Sequence, residues 1–143
     1  MTSDSNQTGG EWVVYSDGAS RGNPGRAAIG AALYRLEGGR LELVGRVSEA
    51  IGHATNNVAE YKALVEGLKL ALDHRPERLT VRADSQLLIR QLEGRYRVKN
   101  AALQPLYLEA KRLLSKVPHR LEHVPREENA VADAFANAAL DGI

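Results

Sequence analysis

The chain has 143 residues, no cysteine and a formal net charge of +1. That length suits one domain with its own hydrophobic core, and the missing cysteines exclude a disulfide framework, a thiolate metal site and a cysteine nucleophile, leaving only oxygen or histidine to hold a metal. The near-neutral total hides an asymmetry: from Ser85 to Arg120 eight basic residues stand against the acids Glu93 and Glu109, a local net charge of +6 against about −5 for the remainder, which reads either as a solvated helical face or as a phosphate-facing surface.

Residues 1–10 are polar and offer nothing to bury, so they are expected to form a disordered tail ahead of a single domain over 11–143. Neither a signal peptide nor a membrane span is legible, and a cytoplasmic location is expected. Trp12 to Tyr15 is an apolar run that drives into Ser16-Asp17-Gly18 and then a Gly22-Asn23-Pro24-Gly25 turn. This predicts a buried strand that delivers the Asp17 carboxylate to its end, although Asp-Gly by itself is ordinary turn chemistry. Ala27 to Arg35, rich in small residues, predicts a second strand, and Leu41 to Ala50, after the Glu37-Gly38-Gly39 turn, a third; the short links imply an antiparallel meander.

Thr55 or Asn57 is placed to cap a helix over Val58 to Leu72, in which Val58, Tyr61, Leu64, Val65, Leu68 and Leu72 recur at helical spacing. Glu60 lies at the border of that stripe in the first turn, where a carboxylate alone would only complement the helix dipole. Leu79 to Ala83 predicts a fourth strand ending at Asp84-Ser85, with Asp84 a candidate cap for a helix over Gln86 to Leu92. A basic loop from Gly94 to Asn100 carries Arg95, Arg97 and Lys99. A helix over Ala101 to Leu114 follows, then a fifth strand at Leu121 to Val124 and a helix over Glu128 to Leu140 with an apolar stripe of Val131, Ala134, Phe135 and Ala138. Asp133 falls off that stripe and, taken alone, is an exposed helix aspartate. Strands alternating with helices in the second half imply an α/β fold with a mixed sheet and ligands at the carboxyl ends of its strands, where Asp17 and Asp84 both fall.

Four blocks, taken in order, resemble the type-1 ribonuclease H family: Tyr15-Ser16-Asp17-Gly18 running into Gly22-Asn23-Pro24-Gly25, Thr55-Asn56-Asn57-Val58-Ala59-Glu60, Ala83-Asp84-Ser85-Gln86, and Arg126-Glu127-Glu128-Asn129-Ala130-Val131-Ala132-Asp133. The resemblance implies a ribonuclease H-like fold, a five-stranded mixed sheet with helices on both faces. It also implies a metal-dependent endonuclease that hydrolyses the RNA strand of an RNA/DNA hybrid and leaves 5′-phosphate and 3′-hydroxyl ends. Carried over block by block, Asp17, Glu60, Asp84 and Asp133 match the family's catalytic, metal-binding carboxylates, which hold two Mg²⁺ or Mn²⁺ ions; hard cations of this kind take oxygen ligands.

Asn23, Thr55, Asn56 and Asn57, with Gly18 and Ser85 in the same blocks, match positions that touch the hybrid, where short polar groups read backbone shape rather than base edges. Double-stranded RNA stays open as a further substrate, and the enzyme is expected to act as a monomer away from membranes. Two departures point to a compact branch of the family. Leu92 to Ala102 is too short for the basic helical protrusion many members carry, and Val124-Pro125-Arg126-Glu127-Glu128-Asn129 is short and lacks the loop histidine that many members use in catalysis. Arg126 is the candidate for helping product phosphate leave, whereas His123, in the fifth strand, is read as structural. A non-catalytic hybrid-binding module would be expected to lack one of the four acids, and a strand-transfer enzyme of the same fold to need further DNA-binding domains.

Overall fold

The computed structural model of the protein describes residues 8–142. The elements run β1 (Glu11–Gly22), β2 (Gly25–Glu37), β3 (Arg40–Ala54), α1 (Asn56–Leu72), β4 (Arg78–Ala83), α2 (Gln86–Leu92), α3 (Gln104–Leu114), β5 (His119–His123), a 3-10 turn (Arg126–Asn129) and α4 (Ala130–Leu140). They build one five-stranded sheet in the order β3-β2-β1-β4-β5. The first three strands form an antiparallel meander, and β4 and β5 are added parallel to β1 through helical crossovers.

Alternation along the strands decides which helix covers which face. Trp12 and Val14 of β1, Leu33 of β2 and Leu79, Val81 and Ala83 of β4 point to one side. There they form a single core with Tyr61, Leu64 and Leu68 of α1, Leu88, Ile89 and Leu92 of α2, and Leu113 and Leu114 of α3. On the other side α4 lies across β1, β2 and β3. Its contact with the sheet is unusually close: a Cβ on Gly30 would collide with the Ala132 carbonyl and stand 2.6 Å from the Ala136 nitrogen.

That closeness overturns the expected stripe of α4. Ala132, Ala136 and Leu140 are the buried positions, whereas Val131 is 43% exposed, Ala134 is exposed, and Phe135 and Ala138 are half-buried. Larger side chains would hold the helix off the sheet, so the small ones face in. The first strand differs too. β1 does not stop at Tyr15 but continues to Gly22 as one arm of a hairpin, with Asp17 paired opposite Gly30. What ends here is the parallel ladder to β4, whose last pair is Ser16–Ala83; Asp17 is therefore the first residue past that edge, although it sits mid-strand in the hairpin.

Most of the expected tail lies outside the described residues. At its end, however, Gly9 donates its N–H to the His74 carbonyl at 2.9 Å, and the Gly10 carbonyl accepts from Glu77 N–H at 2.8 Å, tying both glycines to the turn after α1. Helix α3 begins at Gln104 rather than Ala101, and β5 begins at His119. Between α2 and α3 the described chain makes turns and loop only, with no helical protrusion. Among the described residues no helix is long and apolar enough to cross a membrane.

Candidate active site

Just past the end of the parallel β1–β4 ladder lies an open cleft of about 530 Å³, lined by Asp17, Gly18, Ala19, Ser20, Asn56, Asn57, Glu60, Asp84, Ser85, Arg126, Asp133 and Asn137. Four elements supply the acids: β1 gives Asp17, α1 Glu60, the end of β4 Asp84 and the first turn of α4 Asp133. Asp17, Glu60 and Asp84 each present an oxygen within 4.8 Å of the others. Asp133 lines the same cleft from α4.

Local chemistry explains the convergence. A Cβ on Gly18 would collide with the backbone of Ala59 and Glu60 and stand 2.7 Å from the Ala59 Cβ, so only glycine lets α1 lie directly on β1 beside Asp17. The Gly18 N–H then donates to Glu60 Oε1 at 2.9 Å. Helix α1 starts at Asn56 under a Thr55 cap whose Oγ1 accepts from Val58 N–H at 3.2 Å. Glu60 is therefore past the first turn, and the Gly18 amide rather than the helix dipole fixes its carboxylate. Similarly the cap of α2 is Ser85, whose Oγ accepts from Leu88 N–H at 3.2 Å. Asp84 is released from the capping role its position suggested.

The electrostatics are those of crowded, buried acids. Asp17 and Glu60 are only 6% and 9% exposed. Burial, followed by the nearby carboxyls of Glu60 and Asp84, holds Asp17 well above the ordinary carboxylate range. Burial also raises Glu60, although contacts with Asp17 and the Gly18 amide pull it back in part, as does the positive charge of Arg126. Glu60 Oε2 is buried and, among the described residues, has no hydrogen-bond partner.

Of the six substrate-side positions, Gly18, Asn56, Asn57 and Ser85 line the cleft, whereas Asn23 and Thr55 are not part of its lining. Asn23 Oδ1 accepts from Asn56 N–H at 3.1 Å and so ties the β1–β2 hairpin to the start of α1. Arg126, in the 3-10 turn, reaches the cleft; His123 is exposed at the end of β5, paired with Ala83, and lies outside it. Arg95 and Arg97 border a separate groove with Tyr96, Tyr107 and Leu108, and Lys99 is exposed nearby.

Sequence reasoning missed three contributors. Asn129 is buried and donates from Nδ2 to the Ser16 carbonyl at 2.9 Å, fastening the 3-10 turn to β1 next to Asp17. Ser20 reaches the cleft while its Oγ donates to the Ala54 carbonyl at 2.9 Å. Asn137 lines the cleft and donates from Nδ2 to Asp133 Oδ1 at 3.1 Å; its spacing of four from Asp133 on one helix was the available signal.

Residues 15–139, which include all four acids, match a family described as reverse transcriptase-like. The chain is 43% identical over 134 residues to ribonuclease HI of Halobacterium salinarum, covering 93% of this chain and 66% of that protein. The crystal structure of RNase H1 from the same archaeon matches with a TM-score of 0.87 at 41% identity, covering 93% of this chain and 99% of that one. A bifunctional protein of Mycobacterium tuberculosis is 41% identical over 130 residues, 90% of this chain and 35% of that protein. The solved N-terminal RNase H domain of that mycobacterial protein matches with a TM-score of 0.86 at 40% identity, covering 92% of this chain and 99% of that one. LC11-RNase H1, solved in complex with an RNA/DNA hybrid, matches with a TM-score of 0.83 at 35% identity, covering 92% of this chain and 97% of that one. The chain thus spans about two thirds of the halobacterial relative and about a third of the mycobacterial one. With sheet order, acid-bearing segments and near-complete coverage of the solved domains in agreement, the chain belongs to the type-1 ribonuclease H family.

Proposed function

We propose that this protein is an endonuclease that hydrolyses the RNA strand of RNA/DNA hybrids at the four-carboxylate cleft, with two Mg²⁺ or Mn²⁺ ions, leaving 5′-phosphate and 3′-hydroxyl ends. The observation that carries this reading is the approach of Asp17, Glu60 and Asp84 oxygens to within 4.8 Å of one another beside Asp133.

The residues fit a hard divalent cation. Every charged donor in the group is a carboxylate oxygen, as such ions prefer. Glu60 Oε2 is buried without a partner, and leaving a buried acceptor unsatisfied is costly unless something binds there. The proton affinity of Asp17 is raised by its burial and its acidic neighbours, a repulsion that a bound cation would relieve. Asp17, Glu60, Asp84 and Asp133 would hold the ions, and the chemistry supplied on binding is activation of the attacking water and stabilisation of the leaving oxygen.

The rest of the site acts through the chain's own groups. The Gly18 amide fixes the direction of Glu60. Asn56, Asn57 and Ser85 present amide and hydroxyl groups along the cleft wall, suited to 2′-hydroxyl and phosphate contacts that tell RNA from DNA by sugar and shape. Arg126 places one positive charge at the rim, where it can hold or release a phosphate. The lack of cysteine suits a reducing, cytoplasmic setting.

Matched RNA/DNA, RNA/RNA and DNA/DNA duplexes, incubated with and without EDTA, test this. Cleavage of the RNA in the hybrid should require Mg²⁺ or Mn²⁺ and stop with chelator. The RNA/RNA lane decides whether double-stranded RNA is also a substrate, and undiminished cleavage after exhaustive metal removal would rule the mechanism out.

A further inference from the structure

We propose that Asn137 is a positioning residue for Asp133, holding its carboxylate turned into the cleft with one oxygen left free for a metal. The inference rests on the reading of Asp133 as a metal ligand. Two of the other acids are constrained by their surroundings: Asp17 by burial, and Glu60 by burial and the Gly18 amide. Asp133 is half-exposed on the wall of an open cleft, where an aspartate on a helix has more than one rotamer available.

Asn137 removes that freedom. Its Nδ2 donates to the Asp133 main-chain carbonyl at 3.0 Å and to Asp133 Oδ1 at 3.1 Å, gripping backbone and side chain of the same residue with one amide. Oδ1 is thereby occupied, and Oδ2 is the oxygen left for the site. The composition of α4 supports this assignment. Its sequence is Ala-Val-Ala-Asp-Ala-Phe-Ala-Asn-Ala-Ala-Leu, in which Asp133 and Asn137 are the only polar residues, one turn apart, and both line the cleft. Asparagine is a weaker helix former than the alanines around it, so helix stability does not account for it. Because the amide is neutral, it orients the carboxylate without competing with a cation for it, as a lysine or arginine at this spacing would.

The test is Asn137→Ala, a substitution that favours the helix and should fold, measured in three ways. Titration of the protein alone with Mn²⁺ should show affinity weakened by about tenfold, the low end of what loss of an orienting partner costs. The metal-induced rise in Tm should shrink in parallel, with the metal-free Tm unchanged. Hybrid cleavage should need about tenfold more metal for half-maximal rate, with KM for the hybrid at saturating metal unchanged. Finally, in an Asp133→Ala background the second change should have no further effect on Mn²⁺ affinity or single-turnover rate. A wild-type Mn²⁺ isotherm for Asn137→Ala, or an undiminished loss in the Asp133→Ala background, would overturn the positioning role while leaving the nuclease reading intact. A wild-type protein that binds no Mn²⁺ and cuts without metal would overturn both.

Discussion

Asp17 stands directly opposite Gly30 in the β1–β2 ladder, and Gly30 is where α4 presses against the sheet. Paired residues share a face, so the side chain that Gly30 lacks is the space into which Ala132 and Ala136 descend, carrying Asp133 to Asp17. Substituting Gly30→Ala should cost about 1–3 kcal/mol through overpacking, seen as a fall in Tm of about 3–10 °C. Cleavage well below the new Tm should also drop, because Asp133 moves with the helix. An unchanged Tm would mean that α4 can shift without cost.

A second expectation concerns pH in the metal-free protein. Asp17 and Glu60 are both held above the carboxylate value of roughly 4 that the unfolded chain shows. The folded state therefore keeps protons that the unfolded state releases. Stability from this pair is fully present below the unfolded value and is lost as pH rises toward the raised folded values. Glu122 acts in the opposite sense: hydrogen bonding to Arg82 holds it below its ordinary value, so its contribution is lost only as pH falls into the acid range. In EDTA, Tm should decline from about pH 5 to about pH 8, and Asp17→Asn should raise Tm at the upper end and flatten the slope. A wild-type Tm that climbed over that interval would contradict the assignment.

Because Ser85 rather than Asp84 caps α2, a change at Asp84 should affect cleavage without the cost of a lost cap. Ser85→Ala is expected to cost about 1 kcal/mol. Asp84→Asn should leave the metal-free Tm unchanged or slightly higher yet abolish most cleavage, with hybrid affinity similar because phosphate contacts elsewhere dominate it. Single-turnover rate and hybrid affinity measured on one preparation decide the point; near wild-type cutting by Asp84→Asn would sink the four-carboxylate site.

Arg126 lines the cleft and His123 does not. Arg126→Ala should lower kcat on the order of tenfold or more, as removal of one well-placed charge-stabilising group does. His123→Ala should stay near wild type. The reverse ranking on folded variants would give His123 the role assigned to Arg126.

The basic loop offers a separate measurement. If Arg95, Arg97 and Lys99 meet phosphates, neutralising all three should flatten the salt dependence of hybrid binding by up to about 0.9 log unit per lost contact. An unaltered slope would make the loop a solvated one, with the Arg95 guanidinium paired to Glu93 at 3.6 Å.

The order of strands and helices was legible from hydrophobic pattern and turn residues, because α1, β1 and β2 bury wide apolar stripes and glycine-rich turns mark off the largely exposed β3. The four acids were legible through their motifs. Periodicity misled at α4, where hydrophobicity points to Val131 and Phe135 while the close approach to Gly30 demands Ala132 and Ala136. Thr55 was foreseen as the α1 cap, but position in the sequence made Asp84 look like a cap because it does not reveal that Ser85 takes that bond, and it put Glu60 in the first turn because the helix was expected from Val58 rather than Asn56. Asn23 and Thr55 matched substrate positions, yet their side-chain oxygens accept the backbone N–H groups of Asn56 and Val58. Asn129 was invisible because its partner, the Ser16 carbonyl, lies 113 residues away.

That long-range stitch from Asn129 to β1 has a consequence for synthesis of the chain. Translation delivers β1, α1 and β4 first, so Asp17, Glu60 and Asp84 can meet while Arg126, Asp133 and Asn137 are still inside the ribosome. Until the 3-10 turn emerges and Asn129 finds Ser16, the nascent protein carries three of the four acids that line the cleft. The fourth acid therefore joins the other three only when the helix that carries it docks on the sheet.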